Sequence, residues 1–312
     1  MKTGIYFCDI ENFGDALNKY IFKDLDITYK NVKKAAIMGI GSLLENLLVD
    51  NKGYPNINLP IKIFSSGFGF EKGGFFHNKN IIFPEKFKRN VEIYAVRGCK
   101  SLERLRTITK NYDKDIVLGD GGLLSNTLID NINIQKKYKL GIVPHYAEMN
   151  DDIFDIIKTK IKDSTILNPI SDPIVFLKSL IECETVISTA MHPLIACDAF
   201  HIPNLWIRIS DLTTSFYKFL DYYSVFNLQP TPINPKKDHE IINNNLPDYI
   251  KRKYVISAKN VEEIQKNLLQ SKQRLKDDIK FYNTKYYTSK LLPFKKIQIG
   301  DYRKFYFCGF PI

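Results

Sequence analysis

Short β-branched and aliphatic runs alternate with helical patterns along most of this chain of 312 residues. A strand that pairs in parallel with the next strand needs a long crossover between them, and a helix usually supplies that crossover. The alternation therefore predicts an α/β fold, in which parallel sheets carry helices on their faces.

Two series of such runs are separated by a weakly patterned segment. In the first series the predicted strands are Thr3–Cys8, Lys34–Met38, Ile61–Ser65, Val91–Val96 and Asp115–Leu118. The predicted helices of this series are Asp15–Phe22, Ser101–Thr107 and a short one near Leu123. In the second series the predicted strands are Lys139–Val143, Thr165–Asn168, Thr185–Ser188 and Asn204–Ile209. The predicted helices of this series are Asp152–Ile161, Pro173–Glu182 and Pro193–Phe200, followed by a long charged helix at about Asn260–Tyr282.

The domain organisation follows from these two series, because a chain of this length is long for one compact core. We place the boundary in the weakly patterned segment Asp130–Lys137. The prediction is a Rossmann-like domain over residues 1–135, a second one over residues 136–285, and a tail over residues 286–312 that packs back on the body. Two doubly wound domains bind ligands in the crevice at the carboxyl ends of their strands.

The composition limits the partners of the chain. A formal charge of +11 favours an anionic partner, although charge alone does not choose among metabolites, glycans, membranes and nucleic acid. Because zinc-finger spacing and RNA-recognition motifs are absent from the sequence, nucleic acid is not expected as a partner. Without a long apolar run or the apolar region of a secretory signal, the sequence predicts a cytoplasmic location.

Glycine-containing turns follow each of the first three predicted strands, at Asn12–Asp15, Gly39–Ser42 and Ser65–Gly69. Amides at the helix start near Gly14 could bind an anion, and the alternative is an ordinary turn in which Asp15 caps the helix. Since the carboxyl ends of parallel strands share one edge of a sheet, the three turns together predict a ligand-lined edge.

Two charged residues follow the fourth and fifth strands at the same edge. Arg97 is well placed to bind a phosphate or a carboxylate with two hydrogen bonds, and a surface salt bridge is the alternative. Asp120 could accept a proton from a hydroxyl group, or it could cap the next helix.

Histidines occur at two strand ends in the second series. His145 follows the first strand of that series, and His192 lies at the start of a helix of small apolar residues. The positive end of a helix lowers the proton affinity of a histidine there, so His192 can serve as an acid or a base near neutral pH. A purely structural histidine is the alternative.

The order of these motifs resembles that of the polysaccharide pyruvyltransferases. The resemblance runs from about residue 5 to residue 225 and includes Phe219, Asp221 and Tyr222 after the histidine segment. It implies two facing Rossmann-like domains of the glycosyltransferase-B kind, with the acceptor on the first domain and the donor on the second. It also implies that pyruvate moves from phosphoenolpyruvate to hydroxyls of a sugar, forming a ketal.

The resemblance gives the site residues their expected roles. His192 is the predicted acid or base with His145 second, and Arg97, facing the cleft, is predicted to hold the donor together with Lys218. Amides near Ser188 and Gly14 are expected to assist. The residues predicted to bind substrates are Asn12, Gly14, Asp15, Gly41, Ser42, Gly67, Asp120, Ser188, Thr189, Met191 and Lys218. No metal and no cofactor other than phosphoenolpyruvate as co-substrate is expected.

Two positions depart from the family pattern. Pro193 stands where the family usually has glycine, and Ala190 stands where one branch carries arginine. If that arginine binds the donor, another cation such as Arg97 or Lys218 must replace it in this chain.

The expected acceptor is a sugar of a surface glycan, or its lipid-linked or nucleotide-linked precursor, as in exopolysaccharide or capsule assembly in the cell envelope. Peripheral contact with the inner face of the membrane and a homo-oligomer are both compatible with this expectation. Two alternatives stay open, namely a glycosyltransferase that uses a nucleotide sugar and a non-catalytic relative that binds glycans.

Overall fold

The computed structural model describes residues 3–49, 57–73, 82–110, 115–130, 134–210, 215–288, 294–299, 302–307 and 310–311. Within these ranges the strands form three sheets.

The first sheet is built from the amino-terminal part of the chain. Its strands are β1 (Thr3–Tyr6), β2 (Ile27–Tyr29), β3 (Ile37–Met38), β4 (Gly41–Ser42), β5 (Ile57–Gly67), β6 (Arg89–Val96) and β7 (Val117–Leu118). Their order is β2-β1-β3-β5-β6-β7, with β4 beside β5, and every pairing is parallel. All the loops that follow these strands therefore leave the sheet at one edge.

The second sheet is smaller and also parallel. Its strands are β8 (Tyr138–Val143), β9 (Ser164–Ile166), β10 (Cys183–Ser188) and β11 (Asn204–Trp206), in the order β11-β10-β8-β9. A third sheet of antiparallel strands comprises β12 (Phe294–Ile299), β13 (Tyr302–Phe307) and β14 (Phe310–Pro311).

Eight α-helices accompany these sheets in the described part of the chain. They are α1 (Phe13–Ile21), α2 (Cys99–Ile108), α3 (Ile153–Lys160), α4 (Pro173–Ile181), α5 (Met191–Ala199), α6 (Phe216–Tyr223), α7 (Leu246–Lys253) and α8 (Ala258–Thr288). Local sequence explains several helix starts. For example, Asp172 caps α4 and Pro173 occupies its first position, where a missing amide hydrogen does no harm. Among the described helices, none combines the length and the apolar character that a bilayer-spanning segment needs.

The apolar core joins the two parallel sheets. One large cluster contains side chains from both, including Phe13 of α1 and Phe176 of α4, whose ring centroids lie 4.3 Å apart. A smaller cluster lies beneath the second sheet and includes Ile157 and Ile250. The two sheets are therefore held together by a continuous apolar interface, and burial of that interface stabilises their relative position.

Helix α8 returns the chain to the first sheet after the second sheet is complete. Ser271 donates a hydrogen bond to the Tyr94 carbonyl at 2.8 Å, and Gln265 donates to the Leu123 carbonyl at 2.9 Å. The sequence-based boundaries place this helix with the second domain, whereas it packs on β6 and β7 of the first sheet.

The structure confirms the prediction of an α/β fold with parallel sheets. The facing arrangement of two glycosyltransferase-B-like domains and the domain boundaries stay predictions. Residues 131–133 of the expected boundary lie outside the described residues, and so do the side chains that would decide how the tail over residues 286–312 packs.

Two local differences have clear causes. The strand β2 was not predicted because it is only three residues long. It follows Asp26, whose positive φ of 45° turns the chain just before the strand. The helix expected near Leu123 is a 3₁₀ helix, Gly121–Leu128. It begins with two glycines, which favour an α-helix least among ordinary residues.

Candidate active site

The start of α1 brings the first predicted motif to the interface between the sheets. The Asn12 side chain accepts a hydrogen bond from the Asp15 amide at 3.1 Å and donates to the Asp15 carboxylate at 2.5 Å. The Phe13 amide donates to the Pro169 carbonyl in the loop after β9 at 2.7 Å. Asn12 is therefore the N-cap of α1, whereas the ordinary-turn alternative gave that role to Asp15, and the start of the helix is fixed against the second half of the chain.

Gly14 and His192 are in direct contact across this interface. A Cβ atom added at Gly14 would overlap the imidazole ring of His192, so only glycine leaves room for the ring at this point of α1. The contact unites two motifs that are far apart in the sequence.

His192 is the second residue of α5, and its ring is half-buried. Its Nε2 atom is inaccessible to solvent and has no hydrogen-bond partner in the described part of the chain. Burial, and then the charges of Lys218 and Arg97, lower the pKa of His192 to about 3. The imidazole is therefore neutral at pH 7 in the empty protein, and a buried polar atom without a partner marks a place where a ligand group can bind.

His145 lies after β8, close to the same position. Its amide donates to the Thr189 hydroxyl at 2.7 Å, and its Nδ1 atom accepts a hydrogen bond from the Ala147 amide at 3.3 Å. Burial, and then the charge of Lys218, lower the pKa of His145 to about 4. Both predicted histidines thus face the same lysine and are neutral at pH 7.

Arg97 is completely buried, and its guanidinium group binds protein atoms. Nε donates to the Asp221 carboxylate at 2.8 Å, Nη1 donates to the Ser42 hydroxyl at 2.7 Å, and Nη2 donates to the Phe68 carbonyl. The group also lies against Gly67, where a Cβ atom would overlap it. Arg97 does form a salt bridge, but the pair is buried and does not lie on the surface as the alternative supposed. A direct contact between Arg97 and the donor stays a prediction.

Asp221 of α6 is the partner that sequence reasoning did not assign to the site. Its carboxylate accepts hydrogen bonds from the Ser101 amide at 2.7 Å and from the Ser101 hydroxyl at 2.6 Å, in addition to the bond from Arg97. The Asp221 carbonyl also lies so close to Gly98 that a side chain there would overlap it. Asp221 therefore anchors α6 on the start of α2, and its only signal in the sequence is its place in the family pattern.

Lys218 lies one turn before Asp221 on α6, and its side chain is half-buried. In the described part of the chain its ammonium group has no hydrogen-bond or salt-bridge partner, and it lies 5.6 Å from the centroid of the Phe219 ring. Burial, and then the charge of Arg97, lower the pKa of Lys218 to about 8, although Asp15 and Glu148 act in the opposite direction. Lys218 is thus the predicted donor-binding cation that remains available to a ligand.

Asp120 lies between the end of β7 and the start of the 3₁₀ helix Gly121–Leu128, and it is completely buried. One carboxylate oxygen accepts a hydrogen bond from the Gly122 amide at 2.8 Å, which is the capping role considered above. The other oxygen has no hydrogen-bond partner among the described residues. Burial raises the pKa of Asp120 to about 6, although Arg97 lowers it. Its role as a proton acceptor stays a prediction.

The remaining predicted residues shape the turns. The Ser188 hydroxyl donates to the Val143 carbonyl at 2.8 Å and accepts from the Ala190 amide at 2.9 Å. The Thr189 amide donates to the same carbonyl at 3.2 Å. Two amides near Ser188 that were expected to assist the donor are therefore already bonded, and the side chain of Met191 is buried by its neighbours.

Gly41 and Pro193 have backbone roles that their residue types explain. Gly41 has a φ of 133°, a conformation that favours glycine. Pro193 is the third residue of α5, within the first turn, where proline is tolerated, and the helix continues to Ala199. The departure at Pro193 therefore leaves the helix start intact.

The residues that could hold a small anion are Lys218 and the polar groups around His192. Within the ranges that the structure describes, no three His, Cys, Asp or Glu side chains are grouped as metal ligands would be. The charge of Lys218 acts on His192, and replacement by Lys218 of the arginine missing at Ala190 stays a prediction.

Two parallel sheets that enclose neutral histidines and an unpaired lysine define an α/β protein whose site can bind an anion and transfer protons. The chain belongs to the polysaccharide pyruvyl transferase family, whose sequence profile matches residues 5–211. This confirms the resemblance noted in the sequence. Lys218 and Asp221 lie beyond the matched segment, so the profile does not supply their roles.

Two further similarities were found. An uncharacterized protein of Acanthamoeba polyphaga mimivirus is 32% identical over 160 residues, which cover 50% of this chain and 54% of that relative. The chain therefore aligns with about half the length of this relative. A crystal structure of a functionally uncharacterized protein from Klebsiella pneumoniae is similar at 15% identity and a TM-score of 0.40, and the alignment covers 72% of this chain and 89% of that one.

Proposed function

We propose that this chain transfers a pyruvyl group from phosphoenolpyruvate to two hydroxyls of a sugar, forming a cyclic ketal and releasing phosphate. The acceptor is a sugar of a surface glycan or of its lipid-linked or nucleotide-linked precursor. The chain would then act in the cytoplasm or at the inner face of the membrane, in the assembly of an exopolysaccharide or capsule.

One observation carries this proposal. The Nε2 atom of His192 is inaccessible to solvent, the side chain of Lys218 is half-buried, and neither group has a hydrogen-bond partner in the described part of the chain. Leaving such groups unpaired is unfavourable in the empty protein, and a ligand that bonds to both removes the cost. Phosphoenolpyruvate carries about two to three negative charges near neutral pH, and an ammonium group attracts them.

The chemistry requires two proton transfers. The methylene carbon of phosphoenolpyruvate takes a proton and becomes a methyl group, while the first sugar hydroxyl loses its proton and bonds to C2. The C2–O bond to phosphate then breaks, the second hydroxyl bonds to C2, and its proton leaves with the phosphate. One residue that accepts a proton from a hydroxyl and returns it to the methylene carbon can therefore serve the first half of the reaction.

His192 fits this double role. In the empty protein the pKa of His192 is lowered to about 3, so its neutral ring can accept a proton at neutral pH. The negative charges of the bound donor offset those of Lys218 and Arg97, which raises the pKa of His192 and makes the imidazolium a usable acid. His145 is the second candidate, because it faces the same lysine.

The donor can be identified without knowing the acceptor. We expect phosphoenolpyruvate at saturating concentration to raise the Tm by a few degrees, because a ligand at about 100 times its Kd contributes about 2.7 kcal/mol. Nucleotide sugars should leave the Tm unchanged. A shift with nucleotide sugars alone would instead identify a glycosyltransferase, and a shift with glycans but with neither donor would identify a glycan-binding protein. The product is tested by mass spectrometry of candidate oligosaccharides after incubation with phosphoenolpyruvate.

Lys218→Met should weaken phosphoenolpyruvate binding and should also abolish the loss of affinity that the wild type shows as the pH rises above about 8. Because the pKa of Lys218 is about 8, the empty protein loses the ammonium charge as the pH rises through that value, and donor affinity falls with it. Isothermal titration calorimetry between pH 6.5 and pH 9.5 measures this dependence. Lys251→Met is the matched control, since Lys251 is 43% exposed and paired with Glu184. Equal alkaline losses in the wild type and in Lys218→Met would contradict the assignment.

A further inference from the structure

Tyr146 is an exposed aromatic residue beside the candidate active site. It follows His145 at the end of β8, it is 36% exposed, and the centroids of the two rings lie 4.5 Å apart. Its hydroxyl has no hydrogen-bond partner in the described part of the chain. An aromatic side chain in this position offers a flat apolar face next to residues that transfer protons.

The start of α1 also reaches the candidate active site, because Gly14 lies against the imidazole of His192. Burial, and then the charges of Asp15 and Cys8, raise the pKa of the Tyr146 hydroxyl, so these side chains lie within electrostatic reach of it. Asp15 also interacts with Lys218, which acts on His192. Asp15 follows Gly14, which contacts His192, and Tyr146 contacts His145, so these two residues come from the two halves of the chain and both lie beside the predicted histidines.

Two exposed apolar side chains lie on loops beside the start of α1. Ile10 is 42% exposed and Ile170 is 46% exposed. Their loops meet at the start of α1, where the Asn12 amide donates to the Ile10 carbonyl at 2.8 Å and the Phe13 amide donates to the Pro169 carbonyl at 2.7 Å. Apolar surface gathered beside a polar site is typical of a ligand-binding region.

We propose that Tyr146 is the platform of the acceptor subsite, on which a pyranose ring stacks while the Asp15 carboxylate accepts hydrogen bonds from its hydroxyls. This inference rests on the proposed function, because it names where the second substrate binds. A pyranose has one face of C–H groups and a rim of hydroxyls, so an aromatic face beside a carboxylate matches both of its surfaces. The ring would present its hydroxyls toward His145 and His192.

The test measures sugar binding to the protein loaded with phosphoenolpyruvate. The probes are methyl β-D-galactopyranoside, methyl β-D-glucopyranoside and methyl α-D-mannopyranoside, detected by saturation-transfer difference NMR. We expect at least one glycoside to bind the wild type, and Tyr146→Ala to bind it about tenfold or more weakly. Tyr146→Phe, which keeps the ring, should retain most of the affinity. Tyr249→Ala, which removes a tyrosine from α7, should bind like the wild type.

The donor is measured in parallel by the rise in Tm with phosphoenolpyruvate, which should be equal in the wild type and in Tyr146→Ala. Glycoside binding that is the same in Tyr146→Ala as in the wild type, or absent from the wild type, would overturn the acceptor subsite alone if the donor still raises the Tm. Absence of any donor effect in the wild type would reject the proposed function and this inference together.

Discussion

His192→Ala is expected to lower the rate of pyruvyl transfer by about 10²–10⁴-fold, the usual contribution of a general acid or base. The physical reason is that Nε2 of His192 is buried and has no hydrogen-bond partner among the described residues, while burial and the charge of Lys218 keep the ring neutral and able to accept a proton. Phosphate release and product mass, followed together, measure the loss.

The fold should survive this change. Removing the imidazole also removes a buried polar atom without a partner, which offsets part of the lost packing against Gly14. A smaller rise in Tm with phosphoenolpyruvate should therefore remain in His192→Ala, because Lys218 still attracts the donor. His239→Ala is the matched control, because His239 is exposed in a short 3₁₀ helix. Near-normal transfer by His192→Ala would reject its assignment as the acid or base.

Arg97→Ala is expected to lower the free energy of unfolding by about 3–5 kcal/mol, because it leaves the Asp221 carboxylate charged and buried without its cation. Both side chains of this ion pair are fully buried, at 0% exposure. A change of this size lowers the Tm by roughly 10 °C in a protein of a few hundred residues. Urea unfolding followed by circular dichroism measures the free energy directly.

Two further variants separate the ion pair from simple loss of volume. The double change Arg97→Met with Asp221→Leu removes both charges and should be less destabilising than the sum of the single changes. Lys251→Ala breaks an exposed pair with Glu184 and should cost about 1 kcal/mol or less. If Arg97→Ala unfolds the chain outright, Arg97→Lys keeps the charge but loses most of the hydrogen bonds and should fall between the two. An Arg97→Ala protein as stable as Lys251→Ala would contradict the role given to the buried pair.

The strand ends and their turns can be predicted because their signals are local. A buried run followed by a glycine turn marks the end of a parallel strand, and this pattern alone predicts that Gly14, Gly67 and Asp120 lie at one sheet edge. Helix α5 is predictable for the same reason, since a strand, a polar turn and a helix of small residues follow one another directly, although the helix begins at Met191 and not at the predicted Pro193.

The sequence could not predict that Arg97 forms a buried ion pair whereas Lys218 has no salt-bridge partner among the described residues. The two residues are equally plausible anion ligands in the sequence, and what separates them is Asp221, which lies 124 positions from Arg97 and meets it only in the folded chain. Helix α6 itself was not predicted, because its sequence is rich in aromatic residues, which favour strands as much as helices. Local sequence patterns do not show which of the two cations forms an ion pair with a carboxylate so far away in the sequence.

Helix α8 has a mechanical consequence for the joint between the two parallel sheets. The chain passes from the first sheet to the second after β7, and α8 brings it back, where Ser271 donates a hydrogen bond to the Tyr94 carbonyl. The two sheets are thus linked by two passages of the chain as well as by the apolar cluster that they share. Separating them would require α8 to leave the first sheet and the shared apolar surface to become exposed to water.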